Sequence, residues 1–159
     1  MSKIFAFFLM AGAIFCVAAV VADDRPVTIE RLPVQARLFL DNHFASVEVL
    51  YASIDRELLG SSYEVMLSNG LQIEFTRNGN WREIKSSHTP IPLTVVPRHI
   101  ADYIRRNYPK AALRQVEIEH GEYEVRLSNG VEIIFGRDMR LVRSNDYTKP
   151  QPDHRFPLL

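Results

Sequence analysis

The stretch Tyr63-Glu-Val-Met-Leu-Ser-Asn-Gly70 returns sixty positions later as Tyr123-Glu-Val-Arg-Leu-Ser-Asn-Gly130, with seven of the eight residues identical. In each copy apolar residues alternate at Tyr63, Val65 and Leu67 (Tyr123, Val125 and Leu127), the period of a strand with one buried face. Asn-Gly then closes the stretch, a strong hairpin signal because glycine reaches the left-handed backbone conformation at little cost. Beyond the turn, alternation resumes at Leu71, Ile73 and Phe75, and at Val131, Ile133 and Phe135. The chain therefore reads as two copies of one fold unit.

Working outward, each copy gains a helix on its N-terminal side. Ala36, Phe39, Leu40 and Phe44 recur at helical spacing, and Ile100, Tyr103, Ile104 and Tyr108 do so 64 residues later. Pro33 and Pro97 suit the first helical turn, where the missing N–H has no partner to lose. Pro109 stops the second helix, because a residue before proline is driven out of the helical region. First strands follow, with Val47, Val49 and Tyr51 on one face in copy one; in copy two, Leu113, Gln115 and Glu117 alternate against Val116 and Ile118. Four extra residues near 55–62 in the first copy read as a longer loop. A last strand follows Arg77-Asn-Gly-Asn80 as Trp81-Arg-Glu-Ile84, and Arg137-Asp138 as Met139-Arg-Leu-Val142.

These readings predict an α+β protein of two tandem repeats, each one helix plus a four-stranded antiparallel meander, with the two sheets side by side or continuous. The expected divisions are a signal peptide (1–22), repeat one (23–85), a connector (86–92), repeat two (93–145) and a proline-rich tail (146–159). The signal assignment rests on Lys3, the uncharged apolar run Ile4 to Val21, and small residues ahead of Asp23-Asp24. An uncleaved anchor is the alternative, since the run approaches the roughly 20 residues that span a bilayer. Cys16 is the only cysteine and lies in this segment, so cleavage leaves a chain without disulfides.

Across 159 residues, 19 Lys and Arg balance 19 Asp and Glu, and 47% of the residues are hydrophobic. That composition fits a folded domain and lacks the positive field of a nucleic-acid binder.

The helix with its Asn107-Tyr-Pro109 exit, the Tyr63 and Tyr123 strands, the Asn-Gly hairpins and the Asn78-Gly79 turn before Trp81 together resemble the PepSY-like family of exported bacterial proteins. The resemblance covers residues 26–144. It implies a fold like that of the β-lactamase inhibitory protein, a periplasmic or secreted location, and a role in protein binding or inhibition. The disulfides of that inhibitor are missing here, Arg137-Asp138 replaces the last Asn-Gly, and Leu141 stands where the first copy has Trp81. No inhibitor contact can be transferred to a numbered residue.

Chemistry-bearing patterns are sparse. Ser68 and Ser128 precede Asn-Gly, where a turn explains a serine better than nucleophilic catalysis does. His43, His88, His99, His120 and His154 show no zinc-ligand spacing. Glu117, Glu119, Glu122, Glu124 and Glu132 cluster, but Arg114, Arg126 and Arg140 share their strands and favour a solvated, ion-paired face. We therefore expect no enzyme, no cofactor and no metal site. The expected function is binding of an extracytoplasmic protein or peptide, without nucleic acid and without stable membrane insertion once the signal is removed. Met66, Arg126, Ile134 and Val142 fall in the outward phase and form the candidate contact face. The alternative is a small-ligand or cation carrier using the cleft between the repeats.

Overall fold

The computed structural model describes residues 25–57 and 60–149. The expected signal peptide and residues 150–159 of the expected tail lie outside them. The nine strands are β1 (Arg25–Pro26), β2 (Val49–Glu57), β3 (Gly60–Leu67), β4 (Gln72–Thr76), β5 (Trp81–Lys85), β6 (Leu113–Glu119), β7 (Glu122–Leu127), β8 (Glu132–Phe135) and β9 (Leu141–Ser144). Helices α1 (Val34–Phe44) and α2 (Arg98–Asn107) complete the frame, with short 3-10 turns at Ile29–Arg31 and Leu93–Val95. Among the described residues no helix is long and apolar enough to cross a membrane.

The expectation of two units, each a helix with its own four-stranded meander, is corrected. All nine strands form a single antiparallel sheet in the order β1 to β9, so the protein is mostly sheet. The joint is made by β5 and β6, where Glu83 opposes Glu117, Ile84 opposes Val116 and Lys85 opposes Gln115. A free meander would leave unpaired N–H and C=O groups along both edges, and this pairing removes two such edges. Sequence alternation reports the faces of a strand but not which strand lies beside it. The added strand β1 pairs with β2 through Arg25–Ile54 and Pro26–Ser53, proline being tolerated because β1 is an edge.

Both helices serve one continuous core. Ala36, Leu40 and Phe44 of α1 and Ile100, Ala101 and Ile104 of α2 are buried in the same cluster as Val65, Ile73, Phe75, Ile84, Val116, Val125, Ile133 and Phe135. At the seam, Ile84 and Val116 are fully buried. Such burial is worth about 1.5–3 kcal/mol per side chain, against roughly 0.2–1 kcal/mol lost where Glu83 faces Glu117. Hydrophobic burial therefore decides the pairing.

Two local expectations change as well. The four extra residues of the first half do not simply enlarge a loop: β2 and β3 remain paired as far as Glu57 opposite Gly60, so the hairpin itself is longer. Beta-bulges interrupt the alternation at Val49/Tyr51 and again at Leu113/Gln115. The first turns Tyr51 outward, 41% exposed. The second lets Leu113 and Val116 share the buried face while Gln115 and Glu117 face out. Pro33 and Pro97 stand at the helix caps, one residue before the first turn.

The Asn-Gly turns act as the sequence requires. Gly70 and Gly130 have φ of 83° and 81°, and the Asn69 and Asn129 side chains accept hydrogen bonds from the N–H groups of Leu71 and Val131. Gly79 is more constrained. Its φ is 84°, and an added Cβ would come within 2.7 Å of the Pro33 Cβ and 2.8 Å of the Ala36 nitrogen, so this turn seats α1 on the sheet. We expect Gly79→Ala to destabilise the protein by about 2–4 kcal/mol through backbone strain plus overpacking. Gly70→Ala, with open space around it, should cost only about 1 kcal/mol. Urea denaturation of the two variants checks the ranking, and equal losses would contradict the seating role.

Candidate functional site

With both helices on one face, the opposite face is left to the outward side chains of the strands. Register places them in rows. Ser53, itself buried, then Glu64, Glu74, Glu83, Glu117, Glu124, Ile134 and Arg143 oppose one another in turn from β2 to β9. Five consecutive members are glutamates. At the usual strand spacing they run about 19 Å in a line. The neighbouring row runs Met66, Gln72, Lys85, Gln115, Arg126 and Glu132.

Like charges in directly opposed positions repel, and the sheet relieves only part of this. Arg82 Nη2 lies 2.5 Å from Glu74 Oε1, and Lys85 Nζ lies 2.8 Å from Glu83 Oε2. Gln115 Nε2 donates to Glu83 Oε1 at 2.6 Å. Arg126 Nε donates to Glu132 Oε1 at 2.9 Å, and its Nη1 to Gln115 Oε1 at 3.1 Å. Glu117 has no hydrogen bond or ion pair among the described residues. Burial, followed by the nearby carboxylates of Glu83, Glu119 and Glu124, holds its pKa above the ordinary glutamate value, with Arg82 opposing the shift.

Over the last four strands this face is hollowed into an open groove of about 550 Å³. Glu117, Glu124, Arg126, Glu132, Ile134 and Arg143 line it, and Tyr147, 87% exposed, stands at its rim. The segment carrying Tyr147 is pinned. The Asn145 side chain accepts from the Glu132 N–H and donates to the Gly130 carbonyl, Asp146 N–H donates to Ser144 Oγ, and the Lys149 ammonium sits 5.8 Å from the centre of the Tyr108 ring.

The four outward residues singled out from the sequence do not form one patch. Arg126 and Ile134 line the groove. Met66, 36% exposed, lies five strands from Ile134, about 24 Å away. Val142, 38% exposed, falls at a bulge: Ile134 pairs with Arg143 and Phe135 with Leu141, leaving it between them and outside the groove lining. Sequence reasoning missed the part of the row made by Glu64, Glu74 and Glu83, together with Arg143 and Tyr147. A signal was present, since each of the five glutamates sits in its strand beside an apolar residue, but only strand order brings them into line.

The remaining candidates have local explanations. Ser128 Oγ accepts from the Ala112 N–H at 3.0 Å, holding the start of β6. Among the described residues no three His, Asp or Glu side chains converge to hold a metal ion. The cleft between α1 and β5–β6 is an open groove of about 430 Å³, bordered by Phe39, His43, Trp81 and Ile118.

A nine-stranded platform with helices on one face and an open, grooved, acidic opposite face defines a module that presents a surface. The chain belongs to the PepSY-like family, described as β-lactamase-inhibitor-like, whose model matches residues 61–143. Among solved structures it is similar to a Bacteroides thetaiotaomicron protein described as calcium-regulated and periplasmic. The two share 35% identity at a TM-score of 0.74, over 78% of this chain and 98% of that one. Two Bacteroides vulgatus proteins described as periplasmic match at 34% identity (TM-score 0.72, 78% of this chain and 98% of the other) and at 31% (TM-score 0.70, 77% and 99%). The second of these is described as of unknown function. Among curated proteins none matches. The chain is a periplasmic or secreted protein, as these relatives indicate.

The raised pKa of Glu117 has a definite sign in stability. The native state holds this proton more tightly than the unfolded chain, so stability is lost as pH rises from the ordinary glutamate value through the raised one. Glu117→Gln is therefore expected to melt higher than wild type at pH 7, with the advantage fading in acid below the ordinary glutamate value. Melting temperature against pH reads this out, and a variant no more stable at pH 7 would contradict it.

Proposed function

We propose that this protein is a non-enzymatic binding module whose outer sheet face receives a segment of another protein or peptide outside the cytoplasm. The observation that carries the reading is the groove at the C-terminal end of that face, where apolar Ile134 lies between Glu124 and Arg143, and Glu117, Glu132 and Arg126 complete the charged lining. An apolar floor contributes burial, and three carboxylates against the two arginines Arg126 and Arg143 tilt the groove toward a basic partner. The surrounding family, described as β-lactamase-inhibitor-like, supports a binding role, and an inhibitor of an exported hydrolase is its narrower form.

The neighbour described as calcium-regulated raises the question of calcium for this chain. Calcium takes six to eight oxygen ligands in a cage. The glutamates here run in a line across the strands, and among the described residues no three acidic or histidine side chains converge. The residues present do not fit such a site.

Capture from the cell envelope with protein lacking residues 1–22 tests the reading, comparing wild type with Ile134→Lys and Glu124→Lys. Both variants should recover the same partner at least tenfold less well, and raised salt should weaken wild-type capture. Equal recovery by wild type and both variants would remove the groove from the binding surface.

A further inference from the structure

At the hairpin end of the outer face the charge reverses. A second groove, of about 410 Å³, is lined by Lys85, Arg114 and Arg126 together with Gln72, Gln115 and Ser87, and no carboxylate lines it. Lys85 and Arg126 flank Gln115 in directly opposed positions on β5, β6 and β7. Arg114 enters from the bulge between Leu113 and Gln115, which frees it from the regular alternation.

The three cations are not equivalently satisfied. Lys85 is held by Glu83 at 2.8 Å, and Arg126 by Glu132 at 2.9 Å. Arg114 Nη1 is shielded from solvent and has no hydrogen-bond partner. A ligand in the open groove does not reach that shielded nitrogen, so what Arg114 offers there is the part of its side chain that lines the wall. A guanidinium presents its N–H groups as a planar fork that matches two oxygens of a single oxyanion. The carboxamides of Gln72 and Gln115 and the Ser87 hydroxyl can donate to the remaining oxygens.

We propose that this groove is an oxyanion-binding site whose charge is supplied by Arg114, Lys85 and Arg126 together. The shared ligand chemistry is a carboxylate or phosphate group. The site shares Gln115 and Arg126 with the edge of the acidic groove, but it does not depend on the binding role proposed for that groove. Neutral amides and a serine between three cations suit a compact anion, whereas the glutamate row beside it repels extended polyanions.

The test is a titration of the full chain followed by NMR of the arginine side-chain N–H signals, using inorganic phosphate, acetate, and sodium chloride at matched ionic strength. Saturable shifts at Arg114 with phosphate, acetate or both, exceeding those with chloride, support the proposal, and the responding anion names the group bound. Arg114→Gln should weaken binding at least tenfold by calorimetry. Should that variant fail to fold, Arg126→Gln, at an exposed position, is expected to weaken it severalfold. No saturable shift with either anion, a response equalled by chloride, or unchanged affinity in the variants would overturn the proposal.

Discussion

The pairing of β5 with β6 sets what the rest of the molecule can be. Opposing Ile84 to Val116 merges the two halves into one sheet and one core, and the same register brings Glu83 opposite Glu117 on the other side. One backbone decision thus has two consequences. On the helix side it buries apolar surface continuously from α1 to α2. On the open side it completes a line of five glutamates that neither half contains alone.

Electrostatic strain on the open face is set by hydrophobic burial beneath it. Each glutamate has at least one strand neighbour buried in the core (Val65, Ile73, Ile84, Val116 or Val125), so it cannot turn inward without moving an apolar side chain out. Salt links from Arg82 and Lys85 moderate the repulsion around Glu74 and Glu83, while Glu117 keeps a pKa displaced toward its neutral form. The field along the glutamate row is negative, whereas at the hairpin end, where Arg114, Lys85 and Arg126 gather, it is positive. Two regions of one sheet therefore differ in charge because adjacent rows are read from the same strands at different positions.

Much of the local structure was legible in the sequence. The Asn69-Gly70 and Asn129-Gly130 turns, the α2 exit before Pro109, and the buried phase of Val65, Ile73, Phe75 and their counterparts all follow from short-range rules. Strand neighbourhood was not legible, because β5 and β6 are separated by a helix and a connector, and alternation carries no information about which edge meets which. Bulges were hidden too, and they moved Tyr51 outward and brought Leu113 and Val116 to the same face. The candidate contact face suffered most from this. Arg126 and Ile134 share a groove, but Met66 and Val142 were grouped with them by phase alone, and phase does not measure distance across a sheet.

Native-state hydrogen exchange at the seam tests the continuous sheet most directly. If the sheet and core are one cooperative unit, amides of Glu83–Lys85 and Gln115–Glu117 should exchange as slowly as those at the centres of β4 and β7, with the same opening free energy. Seam amides exchanging orders of magnitude faster, while both centres stay protected, would show two halves that merely touch and would contradict the account.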